Sequence, residues 1–229
     1  MAISSHDKRV FIGIDVQLSR GLAFAVMSGA ETDRVGRVIS NGWLETENPQ
    51  HAIDQLLKKY PQAIFGIDAP RQAMPEPREH YWTGNAGWRR RQPSDRGYGR
   101  HCEVVISACG LARPQWTPTT AEPPPAWMAF GFAMFEACRG LAVCAEEVFP
   151  SAAYKQLGTN SDARIELPLS QFSRGPKDML DAVVAAFSVR EFTQGRGTAV
   201  GGGDGLGEIV LPRPIVHPNL VGVSAWPTT

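Results

Sequence analysis

The chain has 229 residues, 43% of them hydrophobic and 20% charged, and its 23 Lys+Arg balance 23 Asp+Glu to a formal net charge of zero. That composition suits one large or two small folded domains and excludes an intrinsically disordered chain. It also excludes an overall electrostatic pull toward nucleic acid or membrane, so any such attraction must come from local clustering.

In chain order, "KRVFIGIDV" (8–16) is a β-rich apolar run with the character of a central strand. After Arg20-Gly21, "LAFAVMS" (22–28) predicts a second strand returning beside it. The more polar "RVGRVISNGWLE" (34–45) predicts a third, nearer an edge. Asn48 then offers an N-cap, and Pro49 takes a first helical position where its missing N–H costs nothing. Ala52, Ile53, Leu56, Leu57 and Tyr60 mark one helical face, Pro61 ends the helix, and "AIFGIDA" follows as a strand. Three strands, a helix and a strand describe an antiparallel meander and a right-handed crossover to a parallel strand. A fourth strand parallel to and beside the first brings Asp15 and Asp68 to one carboxyl edge, where open α/β sheets bind ligands.

Residues 70–125 lose periodicity, and "RPQWTPTTAEPPP" (113–125) cannot stay regular for long. This stretch reads as an insertion or lid within a single domain. "AWMAFGFAMFEACRG" (126–140), apolar nearly all round, predicts a buried helix, and "LAVCAEEVFP" (141–150) a strand ending in Glu146, Glu147 and Pro150. "GPKDMLDAVVAAFSVREF" predicts a helix from about Pro176. The glycine-rich "GRGTAVGGGDGLG" (195–207) lacks the closing lysine and hydroxyl residue of a phosphate loop and reads as a flexible surface loop. "EIVLP" reads as a short strand and 213–229 as an irregular tail. Cys102, Cys109, Cys138 and Cys144 show no paired C-x-x-C spacing and read as buried free thiols. "MAISSHDKRV" carries no apolar signal core, and no run approaches the roughly 18 apolar residues of a membrane span. The expectation is an intracellular, cytoplasmic protein with no membrane partner and an oligomeric state left open.

Acids stand at the ends of apolar elements: Asp15, Asp68, Glu147, and Asp178 with Asp181 on one helix face. Gathered carboxylates repel unless a cation neutralises them, and hard oxygen ligands suit Mg²⁺ or Mn²⁺. Two such ions can activate a water and stabilise the leaving oxygen of a phosphodiester. Each acid also has a plain alternative, since acids favour a helix's first turn and strand-end charges are often merely solvated. Asp15 and Asp68 are the harder pair to dismiss, because Asp is depleted in strands. Between Arg71 and His101, seven arginines (Arg71, Arg78, Arg89, Arg90, Arg91, Arg96, Arg100) interleave with Tyr81, Trp82, Trp88 and Tyr98. Such a segment can hold a phosphate backbone and stack on bases, or simply form a solvated basic loop with Asp95 as an ion-pair partner. Lys177 either orients a phosphate or is exposed.

"FIGIDVQLSRGLAFAV", "IFGIDAPR", R-x₃-DR-x₃-R (Arg91, Asp95, Arg96, Arg100), "EVFPSAAYKQLG" and "KDMLDAVVAAF" together resemble the DUF429 family over about residues 9–212. That family is classed as predicted nucleases of a ribonuclease H-like fold, and "DMLDAVVAA" also resembles the last acidic motif of bacterial Holliday-junction resolvases. The resemblance implies an α/β protein with a ribonuclease H-like mixed sheet flanked by helices and a long Arg/Pro-rich insertion. It implies Asp15 as first-strand metal ligand, Asp68 as fourth-strand acid, Asp178 and Asp181 as helix acids with Asp181 better placed, and Glu147 as a strand-end ligand. The implied activity is Mg²⁺- or Mn²⁺-dependent phosphodiester hydrolysis catalysed at Asp15, Asp68 and Asp181. A nucleic acid, DNA or RNA, would be held by Arg71, Arg91, Arg96, Arg100 and Lys177. Two other readings stay open. One is a phosphotransferase on an actin-like version of the same core, although "VQLS" replaces the expected phosphate hairpin. The other is a binding module that kept the fold and lost the chemistry.

Overall fold

A computed structural model describes residues 9–30, 34–45, 48–160, 162–172 and 174–227. The reading of residues 1–8 as lacking a signal core, and the end of the tail at 228–229, lie outside the described residues.

Strand β1 (Val10–Asp15) pairs antiparallel with β2 (Leu22–Ser28), and β2 with β3 (Val35–Leu44), which is the expected meander. Helix α1 (Pro49–Lys59) begins where Asn48 Oδ1 accepts the His51 N–H at 3.1 Å, with Pro49 leading the first turn. It returns the chain to β4 (Ile64–Asp68), which lies parallel to β1 in the register Phe11↔Ile64 through Asp15↔Asp68. After the insertion come α3 (Ala126–Gly140), β7 (Ala145–Val148), α4 (Pro150–Thr159), β8 (Arg164–Glu166) and α5 (Pro176–Thr193). The chain closes with β9 (Thr198–Gly201), β10 (Glu208–Leu211) and α6 (Leu220–Ser224). The result is a mixed eight-stranded sheet in the order β8-β3-β2-β1-β4-β7-β10-β9, flanked by helices.

Period-two alternation divides the core. Ile12, Ile14, Phe65 and Ile67 are fully buried on one face, against Ile53 and Leu56 of α1 and Met134 and Phe135 of α3. Full burial of each such side chain stabilises the fold by about 1.5–3 kcal/mol. The opposite face carries Phe11, Gly13 and Asp15 of β1 beside Ile64, Gly66 and Asp68 of β4, and it faces α5. Gly13 and Gly66 are register partners. A Cβ on Gly13 would stand 1.9 Å from Ala182 O and 2.3 Å from Ala186 N, and one on Gly66 2.8 Å from Ala185 O. The paired glycines therefore let α5 rest on the strands backbone against backbone. From Asp181 to Glu191 every residue of α5 is buried, as expected for a helix without a polar stripe.

Several expectations are revised. Helix α3 is not buried all round: Ala126, Ala129, Ala133, Glu136 and Arg139 are exposed. Its outward face is largely alanine, which reads as apolar but presents little surface. The 70–125 segment holds more regular structure than its composition predicts: a hairpin of β5 (His80–Trp82) and β6 (Trp88–Arg90), then α2 (His101–Ala108). In α2 the six residues His101–Ile106 are all buried, which leaves no periodic stripe to read. The glycine-rich stretch is no free loop, since it forms the β9–β10 hairpin packed on α2. Gly201 (φ +101°) has Cys102 Cβ 2.4 Å from where its own Cβ would stand, so only glycine fits that approach. The tail contains α6, with Val223 buried. Helix α4 had no counterpart in the sequence reading. All four cysteines are free, three of them buried and Cys144 exposed. Among the described residues no helix is long and apolar enough to cross a membrane.

Candidate metal centre

Strands β1 and β4 terminate side by side at Asp15 and Asp68, and both side chains point to the α5 face, two residues beyond the paired glycines. Because α5 is seated on those glycines, its second turn delivers Asp181 over the same rim. One carboxylate oxygen from each of Asp15, Asp68 and Asp181 lies within 4.8 Å of the others. Asp15 and Asp181 are each only 8% exposed, and Asp68 is half-buried.

The cluster is under electrostatic stress. Burial first, then Asp181 and Asp178, push the Asp15 carboxyl up to about 7. Asp68 is held well above the ordinary carboxylate range, again by burial first and then by Asp15 and Asp181. Compensation is meagre. Lys177 Nζ meets Asp181 Oδ1 at 2.5 Å and also reaches Oδ2, yet its side chain is 64% exposed. Tyr154, one turn into α4, donates its hydroxyl to Asp181 Oδ1 at 2.7 Å. Burial and that hydrogen bond raise the Tyr154 phenol, so it stays protonated and neutral. Three buried or half-buried carboxylates thus face one solvated ammonium. Two oxygens bound to one ion at about 2.1–2.5 Å stand at most about 4–5 Å apart, so this donor set could hold a metal ion.

The other expected site residues are placed differently. Asp178 is buried at the start of α5, where Arg20 Nε and NH2 meet its Oδ2 at 2.9 and 2.6 Å. Sequence reading assigned Arg20 no such role. Glu147 and Arg100, expected to ligate metal and bind phosphate, satisfy each other: Arg100 NH1 donates to Oε2 at 2.7 Å and NH2 to Oε1 at 2.5 Å. Arg100 is fully buried and also donates to Glu103, and both it and Glu147 line the cavity beside Asp15 and Asp68. The Arg71 N–H donates to Glu147 Oε2 at 2.9 Å, while its guanidinium meets Glu146 at 3.3 Å and lies 5.2 Å over the Phe135 ring. This network fastens the insertion to the end of β7. Arg91 is exposed with Nε 3.4 Å from Asp95 O, and exposed Arg96 lies 4.7 Å over the Tyr98 ring. Asp95 is an arginine partner: bidentate Arg89, at 2.6 and 2.9 Å, and the Gln92 N–H hold its carboxyl down to about 2. His80 and His101 sit in an aromatic cluster with Trp226.

Beside the three aspartates opens a cavity of about 290 Å³, lined by Asp15, Asp68, Arg113, Gln115, Trp127 and Ser151 among others. Arg113 and Trp127 were also missed: Arg113 lies in the aperiodic proline-rich stretch, and Trp127 lay in a segment expected as a buried helix, with nothing to direct it to the site. The chain matches no family model, no curated protein and no solved structure.

Proposed function

We propose that the chain is a divalent-metal-dependent phosphodiesterase acting on nucleic acid, built on a ribonuclease H-like version of this sheet and akin to the DUF429 family. The observation that carries the reading is the convergence of Asp15, Asp68 and Asp181, whose oxygens lie within 4.8 Å of one another although the residues come from three separate elements. A meander, a crossover to a parallel strand and an acid-bearing helix on the sheet agree with the fold implied by the resemblance.

Asp15, Asp68 and Asp181 would hold Mg²⁺ or Mn²⁺, since all three offer hard carboxylate oxygens. Such an ion, when bound, polarises a phosphoryl oxygen and makes an attacking water more acidic. Tyr154 fixes the orientation of Asp181 through its hydroxyl. Arg113 lines the cavity beside the three aspartates and would favour a phosphate there. The phosphotransferase alternative is disfavoured at the turn after β1. Gln17 Oε1 accepts from the Ser19 and Arg20 N–H groups at 2.6 and 3.0 Å, so those amides are already committed and do not cradle a phosphate.

Asp15→Asn is expected to abolish Mn²⁺-dependent cleavage of nucleic acid while leaving the circular dichroism spectrum unchanged. Undiminished cleavage by that variant ends the proposal. One observation favours a second reading, a non-enzymatic module: Lys177 places a built-in cation on Asp181. Calorimetric titration separates the two, because absence of Mn²⁺ binding at millimolar metal supports the module.

A further inference from the structure

We infer that the substrate is a single strand, with one nucleotide drawn into the cavity over the three aspartates and its neighbours laid along an adjoining aromatic groove. The inference rests on reading Asp15, Asp68 and Asp181 as a phosphodiester centre and names the form of nucleic acid that reaches it.

The cavity beside the aspartates measures about 290 Å³, the lower end of the ~300–1,000 Å³ typical of small-ligand sites. That space accepts one nucleotide unit and refuses a base pair flanked by two backbones. Pro114 and Gln115 also line a second depression of about 610 Å³, so the two spaces adjoin across these two residues. The second depression is bordered by Arg78, Arg96, Tyr98 and Trp116. Trp116 is 37% exposed, unusual for so large an apolar ring in this chain. Its position is set from beneath by Gly99 (φ +92°), where a Cβ would stand 2.3 Å from the ring.

The charges of the groove are suited to a phosphodiester backbone. The Arg78 guanidinium lies 4.0 Å from the Tyr81 ring centroid and 5.2 Å from that of Trp116, and its Nε is buried without a hydrogen-bond partner. Arg96 and Arg113 are exposed, and neither has an ion-pair partner among the described residues. The acid in the groove, Glu122, is engaged by the Tyr98 hydroxyl. Exposed ring, planar guanidiniums and unpaired arginines are what unstacked bases and a bare backbone require. A duplex keeps its bases stacked on each other and offers Trp116 no free face.

The test is fluorescence anisotropy of the full chain in Ca²⁺ buffer, with labelled 12-nucleotide oligo(dT) and oligo(rU) against a 12-base-pair duplex. The single strands are expected to bind at least tenfold more tightly than the duplex. Trp116→Ala should cost about tenfold in single-strand affinity, within the range seen for one stacked base. The exposed Arg96→Ala and Arg113→Gln should each reduce the salt slope by about 0.7, as for one single-strand phosphate contact. Equal or tighter duplex binding, or unchanged affinity and salt slope in all three variants, overturns the inference. Mn²⁺-dependent hydrolysis of bis(p-nitrophenyl) phosphate, too small to need the groove, is followed in parallel. Hydrolysis that persists alongside duplex preference sinks the single-strand path and spares the centre. Groove-dependent single-strand binding with no hydrolysis sinks the centre and leaves the path standing as a binding site.

Discussion

Replacing Asp15 by Asn tests the electrostatics of the rim without relying on any substrate. In the metal-free protein the Asp15 carboxyl rises from an ordinary 3.8 to about 7. At about 1.4 kcal/mol per pH unit this amounts to about 4 kcal/mol. The folded state keeps the proton after the unfolded chain has lost it. Stability from this group is therefore fully present below about pH 4, falls as pH rises toward 7, and stays low above that. Asn removes the titration and the charge, so at pH 8 in EDTA the variant should be the more stable protein. For a chain of this size the gain corresponds to roughly 10 °C in Tm. Differential scanning fluorimetry from pH 4 to pH 8 gives the readout as wild type minus variant, which cancels groups that titrate equally in both. The gap should open with rising pH in EDTA and narrow by more than half in millimolar Mn²⁺, because binding at about 100 times Kd restores about 2.7 kcal/mol to the wild type alone. A variant less stable than wild type at pH 8 in EDTA, or a gap independent of pH, refutes the account of a mutually repelling cluster.

Gly13→Ala should lower stability by about 3 kcal/mol or more, and by more than Gly66→Ala, since the added methyl meets backbone at 1.9 Å rather than 2.8 Å; urea midpoints decide it. Arg100→Met or Glu147→Gln alone should cost about 3–5 kcal/mol by stranding a buried charge or its donors, whereas replacing both with apolar residues should cost less, as a double-mutant cycle would show. Tyr154→Phe should weaken Mn²⁺ binding about tenfold by calorimetry with little change in fold, because Asp181 loses its orienting hydroxyl.

Strands β1, β2 and β4 were legible because their apolar runs are continuous and two of them end in a residue that strands avoid. The helix at Pro49 was legible from its cap. Asp15 and Asp68 could be paired before any coordinates, since a meander followed by a crossover leaves the fourth strand beside the first. The role of Gly13 and Gly66 was not legible: each looks like an ordinary strand residue until its register partner and α5 are seen together. Helix α2 escaped notice because burial on every side erases the 3.6-residue signal. The Arg100–Glu147 bond joins residues 47 apart, and nothing local in either segment distinguishes a buried clamp from a basic lid or an acidic ligand. Tyr154 stood in a quoted motif without a role, because only the packing of α4 against α5 brings its hydroxyl to Asp181.

The two-glycine contact beneath α5 also bears on which ion can dwell at the rim. At the two glycines the helix leans directly on the main chain of the strands, and that close contact limits how far Asp181 can shift from the strand acids. A frame of that kind discriminates by ionic radius. If the rim holds an ion, such a frame would favour a small one with short, inflexible bonds over calcium, which tolerates six to eight longer ones.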